Sequence, residues 1–191
     1  MEQGKNIFAS LITFNKMILS QSITAGAIVC DATLGNGHDA LFLAEITGSR
    51  GTVIGFDIQP EAIEVSTKRM QEAGFDNFSF YLESHSAIDQ YLSEADAVVF
   101  NLGYLPGHAK EVVTQPETTL EAIEKSLKML KKNGLISIMF YVGHPGGLEE
   151  KEYIMPFIKK LDKHTYDVLE VTHANRSETA PFLLLLYKKG D

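Results

Sequence analysis

The chain is poor in the residues and patterns that mark several functional classes. It has one cysteine in 191 residues, so no disulfide can form within it. Cys30 sits in the apolar run Ala27-Ile28-Val29-Cys30, which reads as a buried, reduced thiol rather than a nucleophile or metal ligand. There is no excess of cations: the formal net charge is -8, which argues against indiscriminate attraction to polyphosphate without excluding RNA. Local basic clusters (Lys128, Lys131 and Lys132; Lys159, Lys160 and Lys163; Lys188 and Lys189) read as solvated faces of helices and strand ends. No apolar run approaches membrane-spanning length, and Met1 to Asn6 lacks the basic and apolar regions of a secretory signal, so a cytoplasmic protein is expected. The histidines are dispersed and no His-Glu-x-x-His occurs, so no metal site is expected. No Gly-x-x-x-x-Gly-Lys-Ser/Thr loop is present, which disfavours a nucleotide hydrolase or kinase. Repeats, low-complexity tracts and linkers are absent too, and the length fits a single domain, 1–191.

What is present is a regular alternation. From about Asn6 to Ser20 apolar residues recur at helical spacing, predicting an amphipathic leading helix. Strand patterns follow at 27–31, 52–57, 77–82, 96–101, 134–142, 166–172 and 181–187. Helical patterns fall at 38–47, 60–73, 85–92, 117–131 and 149–162, with Pro60 suited to a first turn, Pro116 just before one, and Gly74 and Gly134 as helix exits. Strands alternating with helices predict an α/β fold with right-handed crossovers and a mostly parallel sheet covered on both faces. The last two strands, separated by the turn-like stretch His173 to Thr179, predict an antiparallel hairpin. Ligands of such sheets bind beyond the carboxyl ends of the strands. The 33–38 turn and the segments 101–107 and 143–147 are therefore expected to converge.

The first strand ends in Asp31 and runs through Ala32-Thr33-Leu34-Gly35-Asn36-Gly37-His38-Asp39 into a helix. The two glycines permit a tight turn and close backbone approach to a ligand. As Gly-x-Gly-x-x-Ala the stretch fits a dinucleotide as well as S-adenosylmethionine. Asp31 favours the second, because a carboxylate at the strand end can order the loop or meet the ammonium of a methionine-derived ligand. The absence of a second substrate region points the same way. At the end of the next strand Asp57 can take both ribose hydroxyls, with Ile58 offering an apolar face to adenine; it can equally cap the helix that starts near Pro60. Ser84 and His85 close the third strand, either as adenine contacts or as a helix cap with a surface histidine.

The fourth strand ends in Asn101-Leu102-Gly103-Tyr104-Leu105-Pro106-Gly107. Its Asn-x-x-Tyr spacing resembles the Asn-Pro-Pro-Tyr element of methyltransferases that act on the amino nitrogens of bases, with Leu102 and Gly103 in place of the prolines. There an amide oxygen accepts a hydrogen bond from the target nitrogen and the aromatic ring stacks on the base. Asn101 and Tyr104 are thus catalytic candidates. A primary alkyl amine, with a reference pKa of about 10.4, arrives protonated. His85, His108 and His144 are candidates to accept its proton, and His144-Pro145-Gly146-Gly147 is expected as a second wall of the substrate pocket.

Taken together, Asp31 to Asp39, Gly55 to Gln59, Ser84-His85, Asn101 to Gly107 and Tyr141 to Gly147 resemble the small bacterial YtqB/MnmM family over almost the whole chain. The resemblance implies a class I S-adenosylmethionine-dependent methyltransferase, Rossmann-like, with a seven-stranded sheet. It also implies a homodimer and a tRNA substrate at the anticodon, where 5-aminomethyl-2-thiouridine at the wobble position becomes the methylaminomethyl form. It puts Asn36, His38, Asp57, Gln59, Ser84 and His85 around the cofactor; Asp31, Thr33, Gly35, Gly37, Ile58 and Asn101 complete the expected cofactor set. Asn175 to Pro181 departs from the family's pattern, and Arg176 there can meet an RNA phosphate. The rival readings are an rRNA base or small-molecule methyltransferase, and a non-catalytic, cofactor-binding RNA-interaction module.

Overall fold

The computed structural model describes residues 8, 10–103, 113–143 and 145–190. Seven strands form one sheet in the order β3-β2-β1-β4-β5-β7-β6. They are β1 (Ile28–Asp31), β2 (Thr52–Asp57), β3 (Phe78–Leu82), β4 (Ala95–Leu102), β5 (Leu130–Phe140), β6 (Tyr166–Val171) and β7 (Phe182–Lys188). β1 to β5 pair in parallel; β7 runs antiparallel to both β5 and β6. The order reverses between β1 and β4, and that switch point is where an open α/β sheet leaves a crevice at its carboxyl edge.

Helices cover both faces. α1 (Leu11–Ser22), α2 (His38–Thr47) and α3 (Pro60–Glu72) lie on one side, and α4 (Ile88–Tyr91), α5 (Pro116–Met129) and α6 (Gly147–Ile158) on the other. Successive strand side chains point to opposite faces. Val29, Val53, Val99 and Met139 accordingly join the core under α1–α3, while Cys30, Ile54, Phe100 and Ile138 join the core under α4–α6. The same parity sends Asp31, Asp57, Asn101 and Tyr141, at the carboxyl ends of β1, β2 and β4 and just beyond β5, toward the α1–α3 side. α1 begins where Ser10 Oγ accepts the Ile12 N–H at 3.2 Å. Its buried Asn15 accepts the Ser137 hydroxyl proton at 2.7 Å, fixing the helix against β5.

Three expectations are corrected. The 85–92 helix is a short 3-10 turn, His85–Ala87, followed by the single turn α4. α5 ends at Met129 and Gly134 lies inside β5, not at a helix exit; Asn133 supplies the left-handed conformation there (φ 65°). Asparagine tolerates that region better than most residues. Among the described residues the leading helix begins at Leu11, after its N-cap Ser10, and runs two residues beyond Ser20.

Candidate functional site

A cavity of about 950 Å³ opens at the switch point, within the size range of small-molecule sites. Asp31, Thr33, Gly35, Asn36, His38, Asp57, Ile58, Gln59, Ser84, His85 and Asn101 all line it, as do Gly103 and Gly143 from the two segments expected to converge there. Gly37 does not. It turns away at φ 72°, and a Cβ there would come within 2.6 Å of Ser66 Cβ, so glycine is required for α2 to dock on α3. Tyr104, His108 and His144, together with 105–107, lie outside the described residues.

The 33–38 turn is held by carboxylates and one guanidinium. Asp57 Oδ2 accepts the Gly35 N–H at 2.9 Å and Oδ1 accepts the Gln59 N–H at 3.0 Å. Asp57 therefore orders the turn into α3 at its N-cap residue Gln59 but does not cap the helix, whose first N–H groups receive no side-chain bond. Each ionised carboxylate oxygen can accept a second bond, so capacity for ribose hydroxyls remains. Ile58 beside it is 57% exposed, an apolar face without a protein partner over most of its area. Arg69 Nε donates to the Asn36 carbonyl at 2.7 Å, and its Nη2 stands 3.5 Å from His38 Nε2. Burial, then the Arg69 and Lys16 charges, hold the His38 imidazolium below its ordinary pKa, so His38 is neutral near pH 7.

Asp31 is buried at the foot of the cavity, 1% exposed. Its Oδ1 accepts the Thr33 N–H at 3.2 Å. Burial first, then the negative charge of Asp39, push its pKa up to about 8. Without a cation nearby the carboxyl is mostly protonated at neutral pH; a ligand ammonium would restore the charged form.

Ser84 caps the 3-10 turn by accepting the Ser86 N–H at 3.2 Å, so its cap role is real and its rim position leaves it facing the cavity as well. His85 is not a surface histidine. Its Nδ1 lies 3.1 Å from the Ala32 carbonyl, which can only accept, so Nδ1 carries the proton and Nε2 is a bare acceptor. That nitrogen is buried with no partner among the described residues, and burial lowers the pKa to about 4. A buried acceptor without a donor is costly.

Asn101 is fixed at both ends. Its backbone N–H donates to Thr33 Oγ1 at 2.7 Å, and its Nδ2 donates to Asp39 Oδ2 at 2.7 Å. An ionised carboxylate only accepts; the amide is thereby oriented with Oδ1 as the free acceptor. Asp39 also pairs with Lys16 Nζ at 3.4 Å. The sequence pattern did not single out Lys16, Asp39, Arg69, Thr114 or Tyr141. Asp39 was within reach, standing in the first turn of a helix directly after the glycine turn.

The basic clusters are partly absorbed by structure. Lys131 pairs with Glu94 and Asp96, Lys189 with Asp167, and Lys188 donates to the Leu130 carbonyl at 2.6 Å. Among the described residues no group of three His, Cys, Asp or Glu side chains is placed to hold a metal ion, and no helix is long and apolar enough to cross a membrane.

Residues 53–187 match the family model described as "Putative rRNA methylase". The chain belongs to this family. It is 34% identical over 185 residues, 91% of its length and 67% of the relative's, to a protein of Arabidopsis thaliana named tRNA (mnm5s2U34)-methyltransferase, chloroplastic. Two solved structures are similar over nearly their whole length. A "putative rRNA-methylase" from Clostridium thermocellum is 35% identical with a TM-score of 0.90, covering 93% of this chain and 96% of that one. A "putative methyltransferase" from Streptococcus mutans, in complex with SAH, is 36% identical with a TM-score of 0.85, covering 93% and 97%.

This methylase is an enzyme with the class I S-adenosylmethionine-dependent fold, and S-adenosylmethionine is its cofactor. The residues fit that group: an acid at the end of β1, a second acid at the end of β2 with acceptor capacity to spare, an exposed isoleucine and the His85 ring all border one cavity. Bound there, S-adenosylmethionine supplies a methyl group made electrophilic by its sulfonium. The protein's part is chiefly to position the nucleophile.

Proposed function

We propose that the enzyme methylates the aminomethyl nitrogen of tRNA wobble uridine, converting 5-aminomethyl-2-thiouridine to 5-methylaminomethyl-2-thiouridine. The observation that carries the chemistry is the Asn101 Nδ2 to Asp39 Oδ2 hydrogen bond of 2.7 Å. It leaves Asn101 Oδ1 to accept an N–H from the target nitrogen and so to aim the lone pair. The choice of tRNA rests on the Arabidopsis relative, whose name states that modification.

In this reading Asp31, Thr33, Gly35, Asn36, Gly37, His38, Asp57, Ile58, Gln59, Ser84, His85 and Asn101 form the cofactor site. Asn101, Tyr104 and His144 form the catalytic group. Residues 1–191 act as one methyltransferase domain with an N-terminal helix, supported by the single sheet that carries every strand among the described residues. The family resemblance supports a cytoplasmic homodimer, which light scattering after size exclusion would test.

Mass spectrometry of tRNA nucleosides from a deletion strain is the deciding experiment. Accumulated 5-aminomethyl-2-thiouridine, removed by the purified enzyme with S-adenosylmethionine, is the expected result. Unchanged wobble uridine would reject it. Methylation of rRNA in the same assay would favour the second reading, to which the family's description and a 28%-identical small-subunit rRNA methyltransferase from Dictyoglomus turgidum lend support; that match covers 52% of this chain and 35% of the relative.

A further inference from the structure

A primary amine held at Asn101 must lose a proton. With a reference pKa of about 10.4, only roughly one molecule in a thousand carries a free lone pair at pH 7. The acceptor has to be open to the cavity and next to the amide oxygen. His38 is occupied by Arg69. The free nitrogen of His85 is a weak base sealed from solvent. Asp31 is wholly buried and engaged by the turn. Among the described residues Asp39 satisfies both conditions. It lines the cavity, its side chain is 21% exposed, Lys16 Nζ lies 3.4 Å from one of its oxygens, and one amide group separates it from Asn101 Oδ1.

We propose that Asp39 is a catalytic residue that binds the substrate amine as an ammonium and accepts its proton. This rests on the reading that the enzyme methylates an amine. Asn101 and Lys16 each engage one carboxylate oxygen, and each oxygen keeps a further acceptor position. An ammonium donating one N–H to Asn101 Oδ1 can therefore donate a second to Asp39. The N–H bond breaks with its electron pair left on nitrogen, and an O–H bond forms on Asp39. The nitrogen pair then bonds the methyl carbon while the C–S pair passes to sulfur. Asp39 afterwards returns its proton to solvent through the open side of the cavity, and the products are a methylammonium and a neutral thioether. The other charged or titratable groups facing Asp39 are Lys16 from α1, Asp31 from β1, His38 on its own helix and Tyr141 beyond β5.

The test uses an anticodon stem-loop carrying 5-aminomethyluridine, its 5-hydroxymethyl counterpart, the wild-type enzyme and Asp39→Asn. In binding measurements without turnover, the wild type should prefer the aminomethyl RNA by about tenfold or more at pH 7, and the variant should lose that preference. In kinetics, kcat/KM of the wild type should stay level from about pH 7 to 9, whereas that of the variant should start at least about a hundredfold lower and climb about tenfold per pH unit, following the unprotonated amine. A variant that keeps the wild-type pH profile overturns the proposal. So does one whose S-adenosylmethionine affinity falls more than about tenfold, because Asp39 would then serve the cofactor. Should Asp39→Asn not fold, Asp39→Ala must show the same slope. A wild type that leaves the aminomethyl RNA unmethylated refutes the amine reading itself, a result separate from either behaviour of the variant.

Discussion

Gly103 and Thr114 grip one another across the connection that follows β4. The Thr114 N–H donates to the Gly103 carbonyl at 2.9 Å, and the Gly103 N–H donates to Thr114 Oγ1 at 3.0 Å. The Thr114 hydroxyl in turn donates to Glu150 Oε2 at 2.8 Å, while the Thr119 hydroxyl donates to Oε1 at 2.7 Å. Glu150 is 2% exposed. A buried carboxylate on α6 thus pins the wall that carries Asn101.

Thr114→Val keeps the shape and removes the hydroxyl, leaving the Gly103 N–H without its acceptor and Glu150 Oε2 without that donor. The expected cost is about 1–3 kcal/mol of stability, read by denaturant unfolding. Methyl transfer should fall while S-adenosylmethionine affinity holds, and Thr114→Ser should behave like the wild type. A Thr114→Val protein with wild-type stability and activity would show that the hydroxyl bridge between Gly103 and Glu150 carries no weight.

Asp57→Ala takes the acceptor from the Gly35 and Gln59 amides and from any ribose hydroxyl at once. Affinity for S-adenosylmethionine should drop by about a hundredfold or more, two charge-assisted hydrogen bonds being worth roughly 3 kcal/mol together. Calorimetry with unchanged affinity would contradict the placement of the ribose here.

Asn101→Ala removes the amide oxygen and the partner of Asp39. Single-turnover rates should fall about a hundredfold or more, the scale seen when one positioned polar group is lost, and by far more than the cofactor affinity, to which Asn101 is one contributor of many. A rate loss matched by an equal affinity loss would move Asn101 from the nucleophile's side of the site to the cofactor's.

Asp31 makes stability depend on pH in the opposite sense to a salt-bridged aspartate. Its pKa is raised in the fold to about 8 from 3.8, so between those values the folded protein binds more protons than the unfolded chain. Stability from this group is therefore full below about pH 4 and is lost as pH rises toward 8. Denaturant unfolding without cofactor should show that decline, and Asp31→Asn should flatten it. Cofactor binding should release a proton near neutral pH, visible as a buffer-dependent heat in calorimetry.

The sequence alone determined the alternation of strands and helices, since the period of its apolar residues changes from 2 to 3.6 along the chain. It also located the glycine turn, the acids ending β1 and β2, and Asn101, because each sits at a strand end where a charged or amide side chain interrupts an apolar run. Local pattern misjudged 85–92, where one 3-10 turn and one α turn suffice, and Gly134, where Asn133 rather than glycine takes the left-handed conformation.

Which partner each of those groups would have was decided only in three dimensions. Asp39 and Asn101 are 62 residues apart, Gly35 and Asp57 are 22, and Thr119 and Glu150 are 31; no sequence period links them. The parallel register of β1, β2 and β4 brings their carboxyl ends level, and strand parity turns Asp31, Asp57 and Asn101 to one face. Burial then does what composition cannot: it holds His85 as a neutral imidazole, restores a proton to Asp31, and leaves the Asp39 carboxyl group partly exposed beside the oriented amide.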